Sequence, residues 1–146
     1  MAPGAGASSF TRCRGVKVSN ILIVEDQESL GLLYKQVLRQ FNHNVIVAPD
    51  GLAGVAAATQ GTPDLIILDL MLPGMPGTEV AAKLKELGIL PAAPLIVTTA
   101  VGSDDAQAIA RSMGAQGVLS KPFNISSLIN IVREALAGSQ REVAAA

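Results

Sequence analysis

Leu65-Ile66-Ile67-Leu68 is a short apolar run that ends on Asp69 and breaks into Leu70-Met71-Leu72-Pro73-Gly74. Three other runs end in the same way, on a reactive side chain. Ile21-Leu22-Ile23-Val24 meets Glu25-Asp26, Leu95-Ile96-Val97 meets Thr98-Thr99, and Gly117-Val118-Leu119-Ser120 meets Lys121-Pro122. Short β-rich runs set between helical patterns read as parallel strands buried on both faces. Ligands bind such sheets beyond the carboxyl ends of the strands. Three carboxylates, a hydroxyl and an ammonium therefore converge at one sheet edge, as a divalent-metal and phosphoryl site requires.

The segments between the runs complete an alternating pattern. Leu30, Leu33, Tyr34, Val37, Leu38 and Phe41 recur at helical spacing, and Asn42-His43-Asn44 ends that helix. Val45-Ile46-Val47-Ala48 is a further strand. Asp50 caps the second helix, which Gly61 and Pro63 terminate. The loop from Met71 to Gly77 is neither helix nor strand, and Thr78 is the expected cap of the third helix, with Val80, Leu84 and Leu87. Pro91 and Pro94 bracket the entry to the fourth strand. Ser103 caps the fourth helix, with Asp104 and Asp105 in a first turn whose dipole favours acids, and Gly114 closes it. Asn124 caps the last helix, striped by Leu128, Ile131, Val132, Ala135 and Leu136. Five strands alternating with five helices imply an α/β fold, a parallel sheet with helices on both faces and right-handed crossovers.

A chain of 146 residues suits one domain with an aliphatic core, at 49% hydrophobic and 3% aromatic. The core pattern uses nearly all of it, so a fused DNA-binding domain is not expected within these residues, which read as a stand-alone domain or one excised from a larger regulator. A net charge of −1 gives no footprint for direct nucleic-acid or acidic-membrane binding. The single Cys13 excludes an internal disulfide and suits a reducing, cytoplasmic compartment. No run reaches the ~20 apolar residues of a membrane span. Residues 1–19 read as a disordered extension, a transit peptide being less favoured because the amphipathic pattern is poor. Residues 20–137 form the domain, and residues 138–146 read as a flexible tail.

Glu25-Asp26, Asp69 with its Leu70-Met71-Leu72-Pro73-Gly74 loop, Thr99-Ala100 and Lys121-Pro122-Phe123 together resemble the receiver domain of bacterial two-component response regulators. The resemblance implies a flavodoxin-like, doubly wound sheet of order 2-1-3-4-5. It also implies a phosphorelay function: Asp69 takes a phosphoryl group from a histidine kinase or histidine phosphotransfer protein, becoming an aspartyl phosphate. Glu25, Asp26 and Asp69 cannot sit together as bare anions without strong repulsion. A hard cation relieves it, and oxygen ligands with waters select Mg²⁺, with Mn²⁺ as substitute. The resemblance adds the main-chain carbonyl of Met71 as a ligand. Lys121 meets the phosphoryl oxygens as a point charge. Thr99, followed by the small Ala100, is the switch hydroxyl that remodels the face of the fourth helix, fifth strand and fifth helix toward an unknown output partner. The chain is expected to be a monomer, or a weak dimer through that same face. The Lys121-Pro122 bond is expected to be cis, and the exposed side of helix one, at Leu32 and Gly31, to dock the kinase.

Each residue has an ordinary reading taken singly. Glu25 and Asp26 could open a helix, Asp69 could be a turn aspartate, and Lys121 a solvated lysine. These readings fail jointly, because all the residues fall at one sheet edge. His43 reads as a surface turn residue, Met71 and Met75 as loop packing. The chain departs from the family at Val118, where an aromatic commonly stands, and carries apolar Met71 and Val101 at the two positions that tune phosphate lifetime. A haloacid-dehalogenase-like phosphatase would need an acid at Met71. A flavodoxin-like cofactor module would need a Gly-rich phosphate loop where Glu25-Asp26-Gln27-Glu28 stands. A pseudo-receiver would not need the full acidic, Thr and Lys set. The expected chemistry is self-phosphorylation with weak autophosphatase activity, without enzymatic turnover of a substrate.

Overall fold

The computed structural model describes residues 19–90, 92–100 and 104–145. Apolar runs form the strands β1 (Asn20–Val24), β2 (Asn44–Ala48), β3 (Leu65–Asp69), β4 (Leu95–Ala100) and β5 (Gly117–Lys121). They alternate with α1 (Glu28–Arg39), α2 (Gly51–Gln60), α3 (Gly77–Glu86), α4 (Asp104–Ser112) and α5 (Ile125–Ala145). All pairings are parallel, in the order β2-β1-β3-β4-β5. Asp69 and Lys121 thus lie inside the last rung of their strands, not beyond it. No helix among the described residues is long and apolar enough to cross a membrane.

Strand alternation divides the core into two layers. Leu22, Val24, Ile66, Leu68, Leu95 and Val97 pack against α2, α3 and α4. Ile21, Ile23, Leu65, Ile67, Ile96 and Leu119 pack against α1 and α5, meeting Tyr34, Val37, Leu38, Leu128 and Val132. The sheet is therefore covered on both faces, and its carboxyl edge is left for polar groups.

Local signals set several helix ends. Asp50 Oδ1 accepts from Ala53 N–H at 2.8 Å, and Asn124 Oδ1 accepts from Ser127 N–H at 2.7 Å, both as capping side chains should. Thr78 does not cap α3. Pro76 is the N-cap residue and Gly77 already opens the helix. Gly77 N–H donates to Leu70 O at 3.1 Å. A Cβ on Gly77 would meet Asp69 O at 2.7 Å and Leu70 Cα at 2.9 Å. The helix thus starts against the backbone that carries Asp69, where a side chain has no room. Gly77→Ala is expected to destabilise the fold by about 2 kcal/mol, in the range of overpacked sites, because backbone cannot yield as a side-chain tip does. Chemical denaturation measures this, and an unchanged midpoint would refute it.

Two other expectations are corrected. Phe41 is 42% exposed, because α1 stops at Arg39 and the chain turns through Asn42 at φ 67°, off the helical face. Gly31 does not make room for a partner: it is buried, and a Cβ there would lie 2.9 Å from Val47 Cγ1. Its bareness seats α1 on β2. The last helix is described to Ala145, past Gly138. A single glycine within such a helix costs only about 1 kcal/mol. The expectations for residues 1–18, Pro91, Val101 and Ser103 lie outside the described residues.

Candidate functional site

The register places the reactive groups in one row. Val24 pairs with Leu68 and Asp69 pairs with Thr98, so Glu25, Asp69 and Thr98 follow one another across β1, β3 and β4. Alternation puts them above Ile23, Ile67 and Ile96, on the face covered by α1 and α5. Thr99 has the opposite parity, with Val97, and pairs with Ser120. Ala100 pairs with Lys121. Of the two threonines, Thr98 is 1% exposed and committed to the interior, while Thr99 lies next to the end of its strand.

Lys121 ties the row together. Its Nζ donates to Asp69 Oδ2 at 2.8 Å and pairs with Glu25 Oε1 at 2.9 Å. Two backbone donors complete the cradle: Met71 N–H to Asp69 Oδ1 at 3.0 Å and Gln27 N–H to Glu25 Oε2 at 3.1 Å. Glu25 and Asp69 are 2% and 4% exposed, whereas Asp26 faces solvent. Burial pushes the Glu25 carboxyl above its ordinary range, and only part of this is offset by Lys121 and Gln27. Burial alone would lower the Lys121 ammonium, but the neighbouring Asp69 and Glu25 carboxylates more than compensate and raise it. The ammonium therefore stays charged. The Lys121-Pro122 bond is cis.

Carboxylate oxygens of Glu25, Asp26 and Asp69 lie within 4.8 Å of one another. Among the described residues this is the group of three His, Cys, Asp or Glu side chains close enough to share an ion. Two buried acids and one exposed acid, all with oxygen donors, fit a hard divalent cation that keeps part of its water shell. His43 stands apart, half-buried in the turn after α1 and displaced toward the neutral imidazole by that burial. Met71 is 75% exposed on the loop above Asp69, and Met75 packs at the edge of the core. Val118 is partly buried against the α2–α4 layer.

Tyr34, beneath the row, is a polar group to which the sequence assigned no role, and Thr98, in the row, is the threonine passed over in favour of Thr99. Tyr34 read as one member of an apolar stripe. The available signal was a phenol at a core position, since a buried tyrosine hydroxyl ordinarily finds a partner.

The comparisons with known proteins agree with this geometry. Over 119 residues, 82% of this chain, the sequence is 35% identical to the sensory transduction protein RegX3 of Mycobacterium tuberculosis, covering 51% of that protein. Over 129 residues, 88% of this chain, it is 34% identical to the transcriptional regulatory protein TcrA of the same organism, covering 50% of it. The chain spans about half the length of these curated relatives. Among solved structures, a CheY-like response regulator receiver domain protein from Methanospirillum hungatei superposes with a TM-score of 0.79 at 28% identity, over 86% of this chain and 99% of that one. The chemotaxis protein CheY4 of Vibrio cholerae gives 0.77 at 27% identity, over 82% of this chain and all of that one. The model of the response regulator receiver domain matches residues 21–133, a span that holds all five strands except Asn20, the first residue of β1, and the whole acidic row. By that match and those relatives, the chain belongs to the response regulator receiver domains, the phosphoacceptor modules of two-component signalling.

Proposed function

We propose that Asp69 is the phosphoacceptor and that a divalent cation, Mg²⁺ by donor chemistry, binds at Glu25, Asp26 and Asp69. The observation that carries this reading is the position of Lys121, bonded to buried Asp69 and Glu25 at 2.8 and 2.9 Å at the carboxyl edge of the sheet. Asp69 Oδ attacks the phosphorus of a phosphohistidine, the phosphorus–nitrogen bond breaks, and the imidazole leaves with that electron pair and takes up a proton. Lys121 balances the charge gathered on the phosphoryl oxygens. The bound cation supplies the same charge neutralisation from the side of Glu25 and Asp26. Met71 offers its main-chain carbonyl as a further ligand, and Thr99 with Ala100 forms the switch segment that carries the change to α4, β5 and α5. The donor is a histidine kinase or histidine phosphotransfer protein, the setting is cytoplasmic, and the chemistry is self-phosphorylation with weak autophosphatase activity. Incubation with acetyl phosphate and Mg²⁺ tests the reading: an acid-labile, base-labile phosphate appears with the metal and not with chelator. No label under either condition would overturn it.

The donor docks on α1. Leu32 is 56% exposed, and an open groove beside it is lined by Glu25, Asp26, Gly31, Leu32, Lys35 and Val47. The groove thus leads from an apolar contact to the acidic row. Leu32→Glu should slow transfer from the cognate kinase by roughly fivefold or more relative to acetyl phosphate, which needs no docking, since burying one leucine is worth about 1.5–3 kcal/mol. An unchanged ratio of the two rates would exclude this surface.

A further inference from the structure

Two hydroxyls at the acidic row, those of Tyr34 and Thr98, are buried without completing a hydrogen bond, and a third buried oxygen, Glu25 Oε1, is met by the Lys121 ammonium at 2.9 Å. Orphaned polar groups are uncommon in protein interiors, and two at one place point to a role the resting arrangement does not display. All three lie on the α1–α5 side of the sheet. Glu25 and Thr98 flank Asp69 in the row, and Tyr34 rises from α1 below it. Helical side chains lean toward their own N-terminus. Because α1 runs back along β1, the Tyr34 phenol leans toward the carboxyl edge.

The ring is held firmly. Tyr34 is wholly buried, and its centroid lies 5.6 Å from that of Phe123 at 32°. Phe123 directly follows the Lys121-Pro122 turn, so one stacking contact joins α1 to the segment that presents the ammonium. The hydroxyl neighbours Thr98 and feels the charges of Glu25 and Asp69; burial first, and those charges second, push its ionisation far above the usual range. It is a permanent donor in need of an acceptor. The nearby acceptor, Glu25 Oε1, is engaged by Lys121 at 2.9 Å.

Phosphorylation changes that balance. If Asp69 is the phosphoacceptor, on which the following inference rests, Lys121 is drawn from Glu25 toward the new phosphoryl oxygens. We propose that Tyr34 is a positioning residue for the phosphoacceptor site: its hydroxyl, backed by that of Thr98, takes over Glu25 Oε1 when Lys121 turns to the phosphoryl group. Tyr34 O–H donates to the carboxylate, and Thr98 O–H donates to the tyrosine oxygen. Glu25 is thereby kept in place as its ion-pair partner leaves. The aromatic group that responds to phosphorylation in this chain then comes from α1 and not from Val118.

Tyr34 is the one tyrosine of a chain without tryptophan, so tyrosine emission reports this hydroxyl alone. In the wild-type chain, acetyl phosphate with Mg²⁺ should quench that emission, since an ionised carboxylate accepting from a phenol quenches it, and chelator added before the phosphate donor should prevent the quench. Tyr34→Phe keeps the ring and should slow labelling by roughly threefold to tenfold, the worth of one net hydrogen bond. Thr98→Val should weaken both the quench and the rate in the same direction, and Thr98→Ser should restore them. The Thr98 pair carries the comparison if Tyr34→Phe does not fold. Emission unchanged on phosphorylation, or labelling of Tyr34→Phe at the wild-type rate, overturns the role of Tyr34 while leaving the phosphoacceptor assignment intact. Wild-type chain that takes up no phosphate overturns that assignment and this inference with it.

Discussion

Asp69→Asn will reduce acid-labile phosphate uptake from acetyl phosphate to background. An amide oxygen is a far poorer nucleophile than a carboxylate, and the acyl phosphate it would form has no stable counterpart. The substitution leaves the local frame in place. Asn can still accept Met71 N–H, which now reaches Asp69 Oδ1 at 3.0 Å, and Lys121 keeps Glu25 at 2.9 Å. Removing one of three clustered acids also relieves like-charge repulsion. Thermal stability should therefore be equal to wild type or slightly higher, which separates loss of chemistry from loss of fold. Two measurements on one sample check this: phosphate uptake and the melting temperature. Labelling of Asp69→Asn at the wild-type rate would place the nucleophile elsewhere.

The aspartyl phosphate, once formed, is expected to be long-lived. Its hydrolysis needs a water in line with phosphorus, opposite Asp69. Met71 stands two residues past Asp69, 75% exposed on the loop and bound through its N–H to the Asp69 carboxylate. Its side chain cannot orient a water by hydrogen bonding. Val101 lies outside the described residues and enters on its place in the sequence, two residues past Thr99. Without a positioned water, part of the proximity contribution to the barrier is lost. Met71→Asn with Val101→Glu should accelerate phosphate loss at least tenfold, or about 1.4 kcal/mol of barrier. The decay of labelled protein after removal of the donor measures it. A double variant that decays at the wild-type rate would show that water positioning does not govern the lifetime.

Much of this protein was legible in the order of its residues. Apolar runs of strand length between helical stripes settled the parallel α/β sheet, because burial on both faces demands unbroken aliphatic strands. Asp50 and Asn124 were legible as caps because capping is a contact over three residues. The convergence of Glu25, Asp26, Asp69 and Lys121 followed from each standing at the carboxyl end of a strand. What eluded the sequence depends on distances between segments far apart in the chain. Thr78 has a capping side chain, yet α3 begins at Gly77, where close approach to Asp69 O excludes any side chain. Gly31 looked like an opening for a partner and proved to be the seat of Val47. Phe41 fitted the helical period but fell beyond the turn at Asn42. Tyr34 read as one member of an apolar stripe, and only the folded packing of α1 against the sheet brought its hydroxyl to the row that holds Glu25, Asp69 and Thr98. Periodicity specifies which face a residue occupies; which atoms meet across that face is decided by how closely two backbones approach, and that distance is set by the whole packed core.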